Sequence, residues 1–200
     1  MTDEACAEHP ALTELSEEEQ LLKQTAYDFA VEQVAPRSAH MEAQARIDPE
    51  IVSALFDLGL MGVEVPERYS GAGASFFGAV LVVEALARAD ASVSVLVDVQ
   101  NTLVQNTVLR CGSDEQKERY LPQLSTSWVG SYALSEESSG SDAFALKTTA
   151  TKTQGGYRLS GSKLWITNAA ESELFIVFAT EDPSAGYKGI SAFLVERGMD

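Results

Sequence analysis

The segment YALSEESSGSDAF, residues 132–144, gathers small hydrogen-bonding side chains at the end of a predicted strand. Its hydroxyl groups come from Ser135, Ser138, Ser139 and Ser141, and Gly140 lies among them. A hydroxyl both donates and accepts hydrogen bonds, and a glycine lets a ligand approach the backbone closely. This chemistry suits a phosphate, a pyrimidine-like edge or a flavin. The alternative is an ordinary surface loop, because serine and glycine are common loop residues.

Two other site motifs are excluded in this segment by their spacing. SSGSD lacks the G-x-G-x-x-G pattern of a dinucleotide-binding turn, and no helical pattern opens after it. GSYAL, which begins at Gly130, lacks the glycine that a nucleophile elbow needs two positions after its serine. Neither a dinucleotide turn nor a serine nucleophile is therefore predicted here.

A second candidate segment is KLWITNA, residues 163–169. The longer stretch GGYRLSGSKLWIT is predicted to form two strands joined by a tight turn at Ser160–Gly161, which places Trp165 and Thr167 on one strand face. An indole beside a hydroxyl offers a ring to pack against a planar cofactor and a donor for its edge. The alternative is a core tryptophan with a threonine at a strand edge.

The elements that must position these loops are helices first and strands afterwards. Apolar residues recur at helical spacing in the segments 16–36, 48–59, 75–89, 92–110 and 113–122, and two-residue alternation follows. This order predicts an α+β protein with two segregated domains rather than alternating βαβ units. The predicted divisions are a disordered acidic leader at 1–14, a helical domain at 15–124 and a β-domain at 125–200.

Composition excludes several functional classes. The net charge of −16 argues against nucleic acid or an anionic membrane surface as the main partner. Cys6 and Cys111 are far apart and, with two histidines, give no zinc-ligand spacing, so no metal site is predicted. No apolar stretch is long enough to predict a membrane span. The acidic first residues do not resemble a signal or transit peptide.

Four motifs in order resemble the acyl-CoA dehydrogenases, a family that carries FAD. They are LGLMGVEVPERYSGAGAS, GSDEQKERYLPQL, YALSEESSGSD and GSKLWITNA, and the resemblance covers roughly residues 15–197. Within the family, DASVSVLVDVQNTL and DPSAGYKGISAFLVERG are most similar to the short/branched-chain members. The resemblance implies an N-terminal helical domain, then an antiparallel middle β-domain cut short at residue 200, without the family's C-terminal helical domain.

The resemblance also implies a site. The residues matching the two FAD segments are Tyr132, Ala133, Leu134, Ser135, Glu136, Glu137, Ser138, Ser139, Gly140, Ser141, Trp165, Ile166 and Thr167. By the same resemblance, Trp165 packs against the flavin ring and Thr167 bonds near its N5 edge. Ser141 and Tyr187 match positions that contact acyl-CoA.

The implied activity is FAD-dependent α,β-dehydrogenation of a short or branched-chain acyl-CoA to the 2,3-enoyl-CoA. Electron-transferring flavoprotein is the implied electron acceptor, and a homotetramer in the mitochondrial matrix is the implied state. The family's catalytic glutamate is expected beyond residue 200, so no glutamate here is assigned as base and the chain alone is expected to be nearly inactive. Glu136 and Glu137 are expected to be structural or solvated. The alternatives are a non-catalytic interaction module and an acyl-CoA oxidase.

Two serines depart from the family pattern. Ser138 stands where the flavin loop usually has glycine, and Ser70 replaces the first of two glycines in the segment Y-G-G-x-G-A. Glycine at such positions usually permits a positive φ or a close approach. We therefore expect the local backbone path or the cofactor affinity to change at these positions.

Overall fold

A computed structural model describes residues 14–199 as a helical part followed by a β-sheet. The predicted leader at 1–14 lies, apart from Glu14, outside the described residues. The helices are α1 (Glu17–Phe29), α2 (Ser38–Gln44), α3 (Pro49–Asp57), α4 (Phe76–Ala87), α5 (Ala91–Asp98), α6 (Asn106–Cys111) and α7 (Asp114–Thr126). The α+β class is confirmed. No helix within 14–199 is both long and apolar enough to cross a bilayer.

Helix starts follow the local sequence signals. Ser16 and Glu19 form a complete capping box, as do Ser113 and Gln116. Asp48 accepts a hydrogen bond from the backbone N–H of Glu50, with proline at the first helical position. The predicted end of α7 at Pro122 was wrong, since the helix runs on to Thr126 and buries Leu124 and Ser125 in that last stretch.

The helical core forms where α1 packs against α4 and α4 against α5. α4 is apolar almost all round, which predicts a buried helix, and six of its residues are buried. Its predicted burial is thus confirmed for half of its twelve residues, whereas Phe76 and Val80 are exposed.

A π-helical segment, Val99–Gln105, links α5 to α6 and carries buried amide side chains. The Gln100 amide donates to the carbonyls of Leu124 and Trp128 at 2.7 and 2.9 Å and accepts from the N–H of Gly130 at 2.8 Å. Buried polar groups need such partners, and π-segments often occur at functional positions. Gln100 therefore fixes the point at which the helical part passes into the first strand.

The strands are β1 (Gly130–Ala133), β2 (Thr149–Thr153), β3 (Gly156–Ser160), β4 (Leu174–Thr180) and β5 (Ile190–Glu196). β4 is central: β5 pairs with it antiparallel along its full length, and β1 pairs parallel with its first half. β2 joins β4 only at Thr149 and Thr180, and forms an antiparallel hairpin with β3. The sheet is therefore mixed rather than purely antiparallel. The chain between β1 and β4 is long enough for a parallel crossover.

Candidate functional site

The two candidate loops meet at the end of β1. The N–H of Leu164 donates to the carbonyl of Ser135 at 2.9 Å. Lys163 Nζ donates to the Leu134 carbonyl at 3.0 Å and to Glu136 Oε1 at 2.7 Å. The structure thus joins residues 134–136 to residues 163–164, although more than 25 positions separate them in sequence.

The predicted strand through Trp165 is wrong. The hairpin turns at residues 154–155 rather than at Ser160–Gly161, and residues 161–169 form no strand. Trp165 and Asn168 have φ values of 58° and 67°, in the left-handed region that interrupts strand pairing. Trp165 and Thr167 are therefore presented by an irregular loop and not by alternation along a strand.

The Lys163–Glu136 ion pair is well enclosed, with side-chain exposures of 10% and 6%. Glu136 also accepts the backbone N–H groups of Lys147 and Thr148 at 2.6 and 3.0 Å. Burial by itself raises the pKa of Glu136, but the Lys163 ammonium and these hydrogen bonds outweigh it and lower the pKa to about 2. Glu136 is consequently an ionised crosslink between the loops.

A tight turn closes the first loop. The N–H of Glu136 donates to the Ser139 carbonyl at 2.9 Å, and the Ser139 N–H donates back at 3.1 Å. Ser138 at the tip is exposed and does not have a positive φ, so serine in place of glycine brings no left-handed backbone there. The expected change in cofactor affinity stays a prediction. Ser70, by contrast, has a φ of 65°, so the second departure does put a serine in left-handed backbone.

Open space lies above Gly140. A methyl group added at its Cα would meet no atom within 4 Å, and its φ is not positive. Neither packing nor backbone conformation within the described residues therefore calls for glycine at this position. The space is available for a flat ligand to approach the backbone.

Trp165 is 93% exposed, although its backbone is held on either side. The Lys163 and Leu164 contacts fasten the loop before it, and the Asn168 amide donates to the Gly130 carbonyl at 3.2 Å after it. A large apolar ring on a fastened loop is a contact surface for another molecule rather than a core residue. The predicted alternative of a core tryptophan is therefore wrong.

The loop after Ser141 leads to an aromatic pair. Asp142 accepts the N–H of Phe144 at 3.2 Å and caps a short 3₁₀ turn, Ala143–Ala145. The rings of Phe144 and Tyr187 lie 5.6 Å apart between centroids, and both side chains are largely exposed. Sequence reasoning selected Tyr187 and Ser141 but missed Phe144, because nothing local indicates a contact with a residue so distant in sequence.

The remaining predicted residues differ in placement. Tyr132 packs on Phe178 with ring centroids 4.9 Å apart, and burial raises its pKa. Ala133 is buried and Glu137 is exposed. Leu134 and Ile166 are half-buried beside the junction of the loops. The first loop thus begins inside the sheet and becomes accessible at Glu137. Ser139 is an exception, since it is buried and its hydroxyl donates to the Asp142 carbonyl at 3.0 Å.

A cavity of about 830 Å³ lies beside the second loop, and Thr167 is one of its lining residues. Its walls come from α2, the start of α5 and residues 167–171, and the Arg46–Glu171 ion pair at 3.3 Å spans two of these walls. Sequence analysis did not predict this cavity, because its lining is drawn from separate helices. Within residues 14–199, no cluster of three or more potential metal-ligating side chains occurs.

The chain thus consists of a helical domain followed by a mixed sheet, and the two candidate loops meet at the end of β1. Two family models match it: the acyl-CoA dehydrogenase N-terminal domain over residues 16–127 and the middle domain over residues 131–200. The chain therefore belongs to the acyl-CoA dehydrogenase family.

Relatives and solved structures agree with that assignment. A probable short/branched chain specific acyl-CoA dehydrogenase of Dictyostelium discoideum is 50% identical over 92% of this chain and 45% of its own length. The mitochondrial short/branched chain specific enzyme of Rattus norvegicus is 44% identical over 94% of this chain and 44% of its own. The chain thus spans about half the length of these relatives. A Bacillus anthracis acyl-CoA dehydrogenase complexed with FAD superposes with a TM-score of 0.83 at 35% identity, covering 93% of this chain and 32% of that one.

The residues present fit a flavin. A planar ring requires an accessible aromatic or apolar face and hydrogen-bonding groups at its edge. Trp165 supplies an exposed indole, and the turn ending at Gly140 supplies open backbone. Lys163 is already paired with Glu136, so the ionised carboxylate does not leave an uncompensated negative charge at the junction of the two loops.

Proposed function

We propose that this protein is an FAD-dependent acyl-CoA dehydrogenase for short or branched acyl chains. The reaction removes a proton from C2 and a hydride from C3 of the acyl group, and it yields the 2,3-enoyl-CoA. The observation that carries the proposal is the junction of the two loops, which presents the exposed Trp165 indole next to a serine- and glycine-rich turn. The named relatives support the substrate class.

The chain's own residues bind and orient. When bound, FAD supplies the acceptor for the hydride, and the protein holds the reacting carbon in place. The accessible hydroxyl and backbone groups of residues 135–141 would hold one edge of the ring. Trp165 and Ile166 would pack against it, and the Thr167 hydroxyl would donate near N5. These roles rest on the positions in the two loops and on the family resemblance.

The proposed acyl-CoA contacts lie in the segment that follows the turn of the first loop. Ser141 is exposed there, and the Phe144–Tyr187 pair stands beyond it. An exposed aromatic pair offers stacking area for the adenine of CoA and apolar contact area for its pantetheine chain. We propose Ser141 and Tyr187 as substrate contacts and add Phe144 to them.

The α-proton needs a base that neither loop provides. Glu136 is held ionised by Lys163 with a pKa of about 2, far below the value near neutrality that suits a general base. Glu137 is exposed at the turn. We infer that the base is a glutamate beyond residue 200, as the resemblance implies. The 200-residue chain alone should then turn over about 10² to 10⁴ times more slowly than an enzyme with its base.

The proposed assembly rests on the family resemblance and on exposed apolar side chains, and the proposed location rests on the resemblance and on mitochondrial relatives. Large apolar side chains are exposed on several helices, which supports association with further protein surface. They are Leu21, Val31, Val80, Val95 and Leu103. We propose a homotetramer in the mitochondrial matrix that passes electrons to electron-transferring flavoprotein. These exposed residues also favour the second candidate, a non-catalytic interaction module.

The experiment is to mix the purified chain with FAD and then with 2-methylbutyryl-CoA. We expect saturable flavin binding with little turnover. Absence of flavin binding together with self-association would overturn the dehydrogenase and favour the interaction module. Rapid turnover by the chain would keep the dehydrogenase but contradict the assignment of the base.

A further inference from the structure

A buried serine pair lies behind the second loop. Ser131 on β1 and Ser172 just before β4 are both fully buried, and their Oγ atoms are 2.6 Å apart. Ser131 Oγ donates to the carbonyl of Thr167 at 2.8 Å, and Ser172 Oγ donates to the carbonyl of Asn168 at 2.8 Å. Serine is seldom fully buried without partners. Here the partners are the backbone of the loop that carries the proposed N5 contact.

The two hydroxyls act as one unit. Each hydroxyl has a single proton, yet together they make three oxygen–oxygen contacts of 2.6 to 2.8 Å. Two protons cannot serve three contacts at once, so the pair shares its donors between the two carbonyls. Removing either serine therefore changes the hydrogen bonding of both carbonyls. We expect the effects of the two substitutions on the loop to be non-additive for this reason.

Arg197 fastens the same loop from its other end. Its Nε donates to the Ser172 carbonyl at 2.7 Å, and its Nη2 donates to the carbonyls of Ala170 and Ala169 at 2.9 and 3.2 Å. The consecutive loop carbonyls from Thr167 to Ala170 thus each accept a hydrogen bond from the sheet side. Without these side chains the carbonyls of Thr167, Ala169 and Ala170 would be left to solvent, whereas the Asn168 carbonyl also accepts the backbone N–H groups of Glu171 and Ser172 at 3.0 and 2.9 Å.

This arrangement differs from ordinary burial of a serine. Ser94 is also buried, but its hydroxyl donates to the Val83 carbonyl and so connects α5 to α4 rather than reaching a loop carbonyl. The loop behind which Ser131 lies contains left-handed backbone at Trp165 and Asn168, a conformation unfavourable for residues with a Cβ. Contacts within the protein must hold this unfavourable backbone conformation. Otherwise the ligand would have to order the loop when it binds, at a cost in affinity.

We propose that Ser131 and Ser172 are positioning residues that set the backbone of Thr167 and Asn168 in flavin-binding geometry before the cofactor arrives. The inference rests on the proposed FAD function. The Ser131 hydroxyl bonds to the backbone carbonyl of Thr167 and therefore leaves the side-chain hydroxyl of Thr167 available for a ligand. The serine pair touches no ligand and acts through the loop.

The test uses Ser131→Ala and Ser172→Ala, with Ser94→Ala as the matched loss of a buried hydroxyl elsewhere. Amide hydrogen exchange of residues 165–170 is measured without flavin, and the FAD dissociation constant is measured by flavin fluorescence. We expect each loop variant to speed exchange there and to raise the FAD dissociation constant, both about tenfold, the effect of roughly one hydrogen bond. The double variant should differ little from either single variant.

Ser94→Ala should lower the free energy of unfolding about as much as the two loop variants do. It should leave amide exchange of residues 165–170 and the FAD dissociation constant unchanged. Loop variants that behave like Ser94→Ala would overturn the inference, and so would fully additive effects in the double variant. If Ser131→Ala does not fold, Ser172→Ala alone decides by the same two readouts. If the unmodified chain binds no FAD, the proposed function fails, and the exchange measurement alone decides whether the pair holds the loop.

Discussion

Lys163 Nζ lies 2.7 Å from Glu136 Oε1, and this ion pair ties together the two loops proposed to hold the flavin. Both side chains are nearly enclosed, and Glu136 accepts two backbone N–H groups in addition. An enclosed pair adds little to stability compared with apolar packing, but loss of one partner leaves the other charge unpaired. The pair therefore chiefly sets the relative position of the loops.

The first prediction concerns acid. The pKa of Glu136 is lowered from its ordinary 4.5 to about 2, so its contribution to folding is fully present above pH 4.5. It is lost as pH falls from about 4.5 toward 2. Urea unfolding across this range should show a shallower pH dependence for Glu136→Gln than for the unmodified chain. Glu137→Gln, an exposed neighbour, is the control and should leave the slope unchanged; equal slopes for both variants would contradict the crosslink.

The second prediction concerns the indole. Trp165→Ala should change the free energy of unfolding by no more than about 0.5 kcal/mol, because the ring is exposed. It should raise the FAD dissociation constant by about tenfold, the value of roughly one aromatic contact. Trp165→Phe should lose less. Tyr157→Ala, which removes an aromatic ring outside both loops, should leave flavin affinity unaltered. A large loss of stability in Trp165→Ala would show that the ring is structural.

The third prediction concerns the open space at Gly140. Gly140→Ala introduces no clash within the protein and no strained φ, so stability should stay the same or rise slightly. FAD affinity should nevertheless fall, because the added methyl group enters the proposed ligand volume. Gly156→Ala is the matched control, since Gly156 also has open space and no positive φ but lies at the start of β3. Undiminished flavin binding by Gly140→Ala would argue against a close approach there.

The fourth prediction concerns backbone strain at Ser70, one of the two serines that replace family glycines. Ser70 sits at a φ of 65°, whereas Ser138 does not have a positive φ. Ser70→Gly should raise the free energy of unfolding by about 1 kcal/mol through relief of left-handed strain. Ser70→Ala keeps the Cβ and removes only the hydroxyl, so it should give no such gain. Equal effects of the two substitutions in chemical denaturation would rule out backbone strain as the cause.

Local signals in the sequence predicted local structure well. Rules that act within a few residues account for the capping boxes at Ser16 and Ser113. They also account for the proline at the start of α3 and for the left-handed backbone at Gly59 after it. Helices before strands also predicted the α+β class. The prediction of a helix end at Pro122 failed because burial of Leu124 beyond it favours continuation of the helix despite the missing N–H.

The site geometry depended on contacts between distant residues. Alternation around Trp165 predicted a strand, since periodicity carries no signal for left-handed backbone. The Lys163–Glu136 pair, the Phe144–Tyr187 contact and the parallel pairing of β1 with β4 join segments that only the folded chain brings together. Motif resemblance selected the loops, but the ways in which they are fastened came from the coordinates.

The most direct measurement is amide hydrogen exchange of the chain with and without saturating FAD. The account predicts that FAD slows exchange in two separate segments at once, residues 135–141 and residues 163–169, while the β2–β3 turn exchanges as before. Protection of only one segment, or of neither, would contradict a single flavin site built from both loops.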